Sequence, residues 1–155
     1  GFTSAIWQCH PTSRGKIEIT SPEPNDNPKI EPNYLSEKLD QKTMIEGIKI
    51  LRKIYEQPKF RNLWEREIVP GSDIKSDTEI LKAIRQGGGT VYHPVGTCKM
   101  GVDKDAVVSP DLRVHGVDGL RVVDASIMPL ITSANTNAPT LMIAEKAADL
   151  ILKDC

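Results

Sequence analysis

Apolar and polar positions along this 155-residue chain change their period near residue 40. Before that point the spacing is two. In "KIEIT", Ile17 and Ile19 alternate with Lys16, Glu18 and Thr20, which predicts a half-buried strand following the turn-like "PTSRG". The stretch "SPEPNDNPKIEPNY" is dense in proline, asparagine and aspartate and predicts an ordered surface loop, with a brief extended piece around Ile30. From Asp40 the spacing becomes helical. Met44, Ile48, Leu51 and Tyr55 follow i, i+4, i+7, i+11, and Ile45 and Ile54 widen the stripe, so an amphipathic helix is expected over Asp40–Gln57, ending near Pro58. A shorter helix is expected over Asp77–Gln86, capped by Ser76 or Asp77 and stopped by Gly87.

In the last third, "LRVHG" and "LRVVD" are two short alternating runs around the turn-rich "VDG", the pattern of a hairpin. The chain then passes through "ASIMPLITSANTNAP" and enters a helix at about Pro139, since proline suits a first helical position. Leu141, Ala144, Ala148 and Ile151 form one apolar face of that helix, built from unusually small residues. The triple glycine of "GGGT" at Gly87–Thr90 invites a phosphate-loop interpretation. Such a loop follows a strand and opens a helix, whereas this one follows a helix and opens the extended "TVYH". Its glycines instead provide a sharp helix exit.

Composition narrows the function classes. With 39% hydrophobic and 26% charged residues and a formal net charge of −1, the chain carries no basic excess of the kind nucleic-acid binders show. No apolar run approaches the ~20 residues of a membrane span, and the first residues, "GFTSAIWQCH", have no secretory pattern. Cys9, Cys98 and Cys155 are widely scattered without a CxxC pair, which points to a reducing, cytoplasmic setting. A start at Gly1 rather than methionine suggests a piece of a longer protein.

The candidate chemistry centres on "TVYHPVGTCKMG" and its His93. Three interpretations of this histidine compete. It can be a turn residue bonded to backbone. It can ligate a metal with Cys98 and either His10 or His115, although His-x4-Cys has none of the paired short intervals of structural zinc sites, so no metal is assigned. Or it can move a proton near neutral pH. Cys98 has no evident base beside it and is expected to be a packed small residue. His10 and His115 are expected to be ordinary structural or surface histidines.

Three stretches bear on the choice. "HPVGTCKMG", "DLRVHGVDGLRVVDASIMP" and "SANTNAPTLMIAEKAADLI" occur in that order at close intervals. Together they resemble the C-terminal segment of the glucose–methanol–choline (GMC) flavoprotein oxidoreductases, most nearly the choline dehydrogenase-like branch. The resemblance extends over nearly the whole chain, with "GFTSAIWQCHPTSRGKIEITSPEP" similar to the entry to the substrate domain. It implies an α+β fold in which an antiparallel sheet from the early and late strands is backed by helices. It also implies a C-terminal helix that would dock on a flavin domain absent from this chain. Residues from about 1 to 110 would form the substrate-binding part, and those from about 111 to 155 would complete the flavin domain.

The same resemblance implies the site. His93 matches the histidine that handles the substrate hydroxyl proton. Asn135 matches its partner position, which is histidine in some members and asparagine in others. Asp124 and Ala125 in "VVDAS" match a flavin-contacting turn, and Thr136, Asn137 and Ala138 match the segment along the pyrimidine end of the flavin ring. The implied cofactor is FAD, the implied reaction the oxidation of a small alcohol. The residue types suit that chemistry: a neutral imidazole can accept a proton, and an amide can donate to a developing alkoxide without adding charge. A helix N-terminus directed at the electron-rich end of reduced flavin would stabilise it. No strand–GxGxxG–helix unit for the ADP half of FAD occurs in the chain. An N-terminal FAD-binding portion is therefore the expected partner, and the chain alone is expected to bind FAD weakly or not at all. The alternative is a non-catalytic remnant of the same fold serving as an interaction module. Asp124 and Asn135 also have simpler uses, as a strand-end cap and a turn residue.

Overall fold

The longest helix, α1 (Lys38–Tyr55), begins where the hydrophobic period changes, in a computed structural model that describes residues 1–154. Cys155 lies outside the described residues. The helix starts and ends two residues earlier than its apolar stripe suggests, and Ile45 is its buried centre. Glu37 at its N-cap makes no side-chain capping bond. Asp40 in the first turn reaches instead to the N-terminal segment. Its carboxylate, 1% exposed, accepts Thr12 N–H at 2.9 and 3.1 Å, Thr12 Oγ1 at 2.8 Å and Ser13 N–H at 2.7 Å. Ser13 Oγ donates to it as well.

Helix α2 (Pro58–Arg61) is a single turn beginning at proline, and α3 (Asp77–Gly87) follows. Ser76 and Glu79 cap α3 reciprocally, each side chain accepting the other's backbone N–H. Helices α1 and α3 pack on each other, with Ile80 of α3 fully buried. Lys49 pairs with Asp77 at 2.7 Å, and Arg52 forks onto Glu67 at 2.9 and 2.8 Å while also donating to the carbonyls of Ile74 and Gly71. At the end of α3 the Gly88 N–H bonds Ile84 O, and a Cβ on Gly88 would stand 2.5 Å from that oxygen. This is the sharp exit expected of the triple glycine.

The sheet is smaller than the expected one. It has two antiparallel strands, β1 (Lys16–Glu18) and β2 (Lys29–Glu31), with Ile17 opposite Ile30. The ribbon is exposed rather than half-buried: Ile17 is 50% and Ile19 88% accessible. Alternation encodes a strand, but burial requires a covering layer. The late segments do not join this sheet. They pair among themselves through isolated bridges, Met100 with Val108, Val108 with Val114, and Arg113 with Arg121. The expected hairpin is thus present as a brief antiparallel contact, with Gly116 and Gly119 at positive φ in its turn.

The chain divides into two compact units, Gly1–Gly89 and Thr90–Cys155. The core of the second consists of Val108, Leu112, Ile127, Met128, Ile143 and Ala147. Its last helix, α4 (Asn137–Leu152), starts two residues before Pro139, which becomes its third residue rather than its first. Ile143 and Ala147 face the core, while Leu141, Ala144, Ala148 and Ile151 remain exposed.

Candidate active site

His93 is held from both sides along the chain. Tyr92 before it adopts φ 62°, a left-handed conformation that costs a residue with Cβ about 1–3 kcal/mol, and its N–H bonds Thr90 Oγ1 at 3.0 Å. Pro94 after it disfavours a helical backbone at His93. Four residues on, the segment is fastened to a short 3-10 turn, Ala125–Ile127, by Cys98 N–H to Ser126 O at 3.0 Å and Met100 N–H to Ile127 O at 2.8 Å. Gly96 permits this approach. It has φ 89°, and a Cβ there would lie 3.3 Å from Met128 O.

The 3-10 turn is capped by Asp124, whose Oδ1 accepts Ser126 N–H at 2.7 Å. One carboxylate oxygen of Asp124 is therefore occupied in capping, the simpler use the sequence suggested for it. Ala125 is half-buried behind it and packs against the core. The turn and α4 pack on each other, so the segments bearing His93, Asp124 and Asn135 share one scaffold.

Across 42 residues of sequence, Asn135 Nδ2 lies 2.9 Å from His93 Nε2. Across 43, Thr136 Oγ1 lies 2.9 Å from His93 Nδ1. Both ring nitrogens thus meet uncharged groups from the start of α4. His93 is half-buried, Asn135 exposed and Thr136 buried, so the accessible edge of the imidazole is its Nε2 side. Asn137 and Ala138 follow in the first helical turn and are exposed. They are the two residues there whose N–H groups have no helical acceptor. No capping side chain takes those donors, and no acidic residue occupies that turn. Two backbone donors at an uncapped, acid-free helix start fit the electron-rich edge of a flavin ring.

Other candidates behave as ordinary residues. His115 Nε2 meets Gly101 O at 3.2 Å. Cys98 is a half-buried free thiol, as is Cys9. Among the described residues, no three His, Cys, Asp or Glu side chains cluster to hold a metal ion. No described helix is long and apolar enough to cross a membrane.

Two features went unread in the sequence. The carboxylate of Asp40 gathering donors from Thr12 and Ser13 has no local signal, because its partners lie 27 and 28 residues away. The contact of Thr136 with His93 did have one: a threonine three residues before a proline has lost the N–H it would most naturally cap.

The sequence pattern of the GMC oxidoreductase family matches residues 11–144. The chain is 53% identical over 153 residues to an alcohol dehydrogenase [acceptor] of Pseudomonas putida, covering 99% of this chain and 28% of that protein. It is 48% identical over 153 residues to an oxygen-dependent choline dehydrogenase of Burkholderia thailandensis, covering 99% and 27%. Among solved structures it resembles an FAD-dependent oxidoreductase from Chaetomium thermophilum, with a TM-score of 0.87 and 32% identity over 94% of this chain and 26% of that one. The chain thus spans little more than a quarter of the length of these relatives.

Proposed function

This chain belongs to the GMC oxidoreductase family, and we propose that it is the catalytic and substrate-binding C-terminal portion of an enzyme that oxidises an alcohol CH–OH group. FAD is the cofactor of the complete enzyme. The observation that carries this assignment is the His93–Asn135 pair, an imidazole Nε2 and an amide donor 2.9 Å apart on an accessible edge.

Bound FAD supplies the acceptor, at N5, for the hydride leaving the carbinol carbon. The chain's own residues handle the proton and the oxygen. His93 Nε2 receives the hydroxyl proton as a general base. Asn135 Nδ2, beside it, donates to the same oxygen as negative charge develops there, and adds no charge of its own. The N–H groups of Asn137 and Ala138 at the start of α4 would hold the pyrimidine end of the flavin, and the turn at Asp124–Ala125 would contact the cofactor as well.

An N-terminal FAD-binding portion of the same enzyme is the partner. Leu141, Met142, Ile151 and Leu152 give α4 an exposed apolar face suited to a packed surface. Residues from about 1 to 110 contribute the substrate side, and those from about 111 to 155 complete the flavin domain. The small alcohol is choline or a similar substrate, by analogy with the dehydrogenases named above. The enzyme works in the cytoplasm, peripheral to the membrane if a quinone reoxidises the flavin; scattered cysteines without a CxxC pair support a reducing setting.

Stopped-flow reduction of the bound flavin by an alcohol substrate tests the role of His93. In the complete enzyme, His93→Ala is expected to slow reduction by ~10²–10⁴-fold, the loss of a general base, with FAD content unchanged. A wild-type rate would return His93 to a structural role.

A further inference from the structure

Thr136 occupies the N-cap of α4, where a threonine hydroxyl ordinarily accepts the N–H of the second or third helical residue. The third helical residue here is Pro139, which has no N–H. Thr136 also holds φ −82° and ψ −3° instead of the extended backbone of a capping residue, and its side chain makes no capping bond. Its hydroxyl is therefore released from the helix. Thr136 is only 8% exposed, and a buried hydroxyl requires a partner. That partner is Nδ1 of His93 at 2.9 Å. The main chain of Thr136 is anchored meanwhile, since its carbonyl accepts Thr140 N–H at 3.0 Å and Thr140 Oγ1 at 2.7 Å.

A neutral imidazole has one N–H and one lone pair. On the Nε2 side the neighbour is Asn135 Nδ2, which can only donate. Nε2 must then carry the lone pair, and the ring proton resides on Nδ1, donated to Thr136 Oγ1. We infer that Thr136 is a positioning residue that, together with Asn135, holds His93 in its Nδ1–H tautomer: Asn135 leaves Nδ1 as the place for the ring proton and Thr136 accepts it there, so that an alcohol displacing the Asn135 amide meets an unprotonated Nε2.

This inference rests on the proposed role of His93 as proton acceptor. In that step the alcohol O–H bond breaks and its proton goes to Nε2. The oxygen's electron pair forms the carbonyl as hydride leaves carbon for the flavin. The imidazolium so formed keeps its Nδ1–H on Thr136 Oγ1, now as a charge-assisted hydrogen bond, which is the stronger kind. Threonine thus serves twice, orienting the ring before the reaction and supporting its charge after it. It does so without adding a charge of its own.

The decisive measurement is the pair of imidazole nitrogen resonances of His93 in full-length, FAD-loaded enzyme labelled with ¹⁵N-histidine. The signals are assigned by their loss in His93→Gln. In wild type and in Thr136→Ser, Nδ1 is expected to resonate as protonated and Nε2 as unprotonated. Thr136→Val keeps the side-chain volume but offers no acceptor for Nδ1–H, so the ring should shift toward the Nε2–H form, with the Asn135 amide turned to present its oxygen. Flavin reduction should then slow about tenfold, the scale of losing one hydrogen bond, with Thr136→Ser restoring most of the rate. An Nε2–H tautomer in the wild-type enzyme would overturn the inference, and this outcome does not depend on any Thr136 variant. So would Thr136→Val with the wild-type tautomer and rate. A wild-type rate in His93→Ala would instead sink the general-base role and leave the tautomer assignment to its own spectrum.

Discussion

Replacing Asp40 by asparagine changes one oxygen of a buried carboxylate into an NH₂ group, in a site where four donors converge. Oδ1 of the new side chain can keep the N–H and hydroxyl of Thr12, which lie 2.9 and 2.8 Å from the present Oδ1. On the other side, Nδ2 would face the N–H of Ser13, now 2.7 Å from Oδ2. Ser13 Oγ can rotate to accept from Nδ2, but the backbone N–H cannot. The variant therefore removes the charge behind all four bonds and leaves the half-buried Ser13 N–H unpaired. A bond to a charged group contributes about 1.5–3 kcal/mol and an orphaned donor costs about 1–3 kcal/mol, with partial relaxation, so a loss of about 2–4 kcal/mol is expected. With a urea slope of about 1–3 kcal/mol per molar, the midpoint reported by Trp7 and Trp64 fluorescence should fall by about 1–2 M. Amide exchange at Ser13 should accelerate with it.

The pH dependence has a definite sign. Burial pushes the Asp40 carboxyl up, but the hydrogen bonds from Ser13 and Thr12 outweigh it and hold the group well below the ordinary aspartate value. The stabilisation is therefore complete above the unfolded-state value of about 3.9. It declines as the pH falls from there toward the lower folded value, because the unfolded chain takes up a proton first. The difference between wild type and Asp40→Asn should be constant near neutrality and shrink below about pH 4. An unchanged midpoint, with the Ser13 amide still protected in the variant, would refute the claim that this carboxylate holds the N-terminal segment to α1.

Further outcomes follow from the site and its surroundings. In the complete enzyme, Asn135→Ala should slow flavin reduction by ~10²-fold, comparable to losing one oxyanion donor, and Asn135→His should retain more activity; equal rates in the two variants would contradict the donor role. Titrating FAD into the 155-residue chain should give weak binding or none, because no pyrophosphate-binding unit occurs in its sequence; stoichiometric submicromolar binding by flavin fluorescence would show that the clasp lies within these residues. Leu141→Lys with Met142→Lys, on the exposed face of α4, should leave the stability of the chain within about 0.5 kcal/mol by urea unfolding. The same pair should lower the FAD content of the complete enzyme, and unchanged content would argue that this face does not dock.

The parts of this protein legible in its sequence are those written over short distances. Helices α1 and α3 follow from a 3.6-residue apolar period, and the Ser76–Glu79 capping box together with the glycines after Gln86 sets the limits of α3. The alternation in "KIEIT" and the extended piece around Ile30 mark β1 and β2. His93 and Asn135 could be singled out because the order of three motifs carries a family's pattern. That order could not supply the hydrogen bond between them.

What required tertiary structure depends on pairings between distant residues. Nothing in "KIEIT" says whether a second layer covers its isoleucines, so the ribbon that alternation predicts as half-buried is exposed. The late runs bridge through Val108, which pairs with both Met100 and Val114 and lies at the centre of the second core. Proline is tolerated throughout the first helical turn, so Pro139 alone could not place the start of α4 at Asn137. As the third helical residue Pro139 has no N–H for Thr136 to cap, and the hydroxyl bonds His93 instead. Asp40 likewise reads as a helix-start acid, and only folding brings Thr12 and Ser13 to it. A local sequence encodes dihedral preferences and an apolar face. Which donor meets which acceptor across forty residues is decided by packing, where every buried polar group must find its partner.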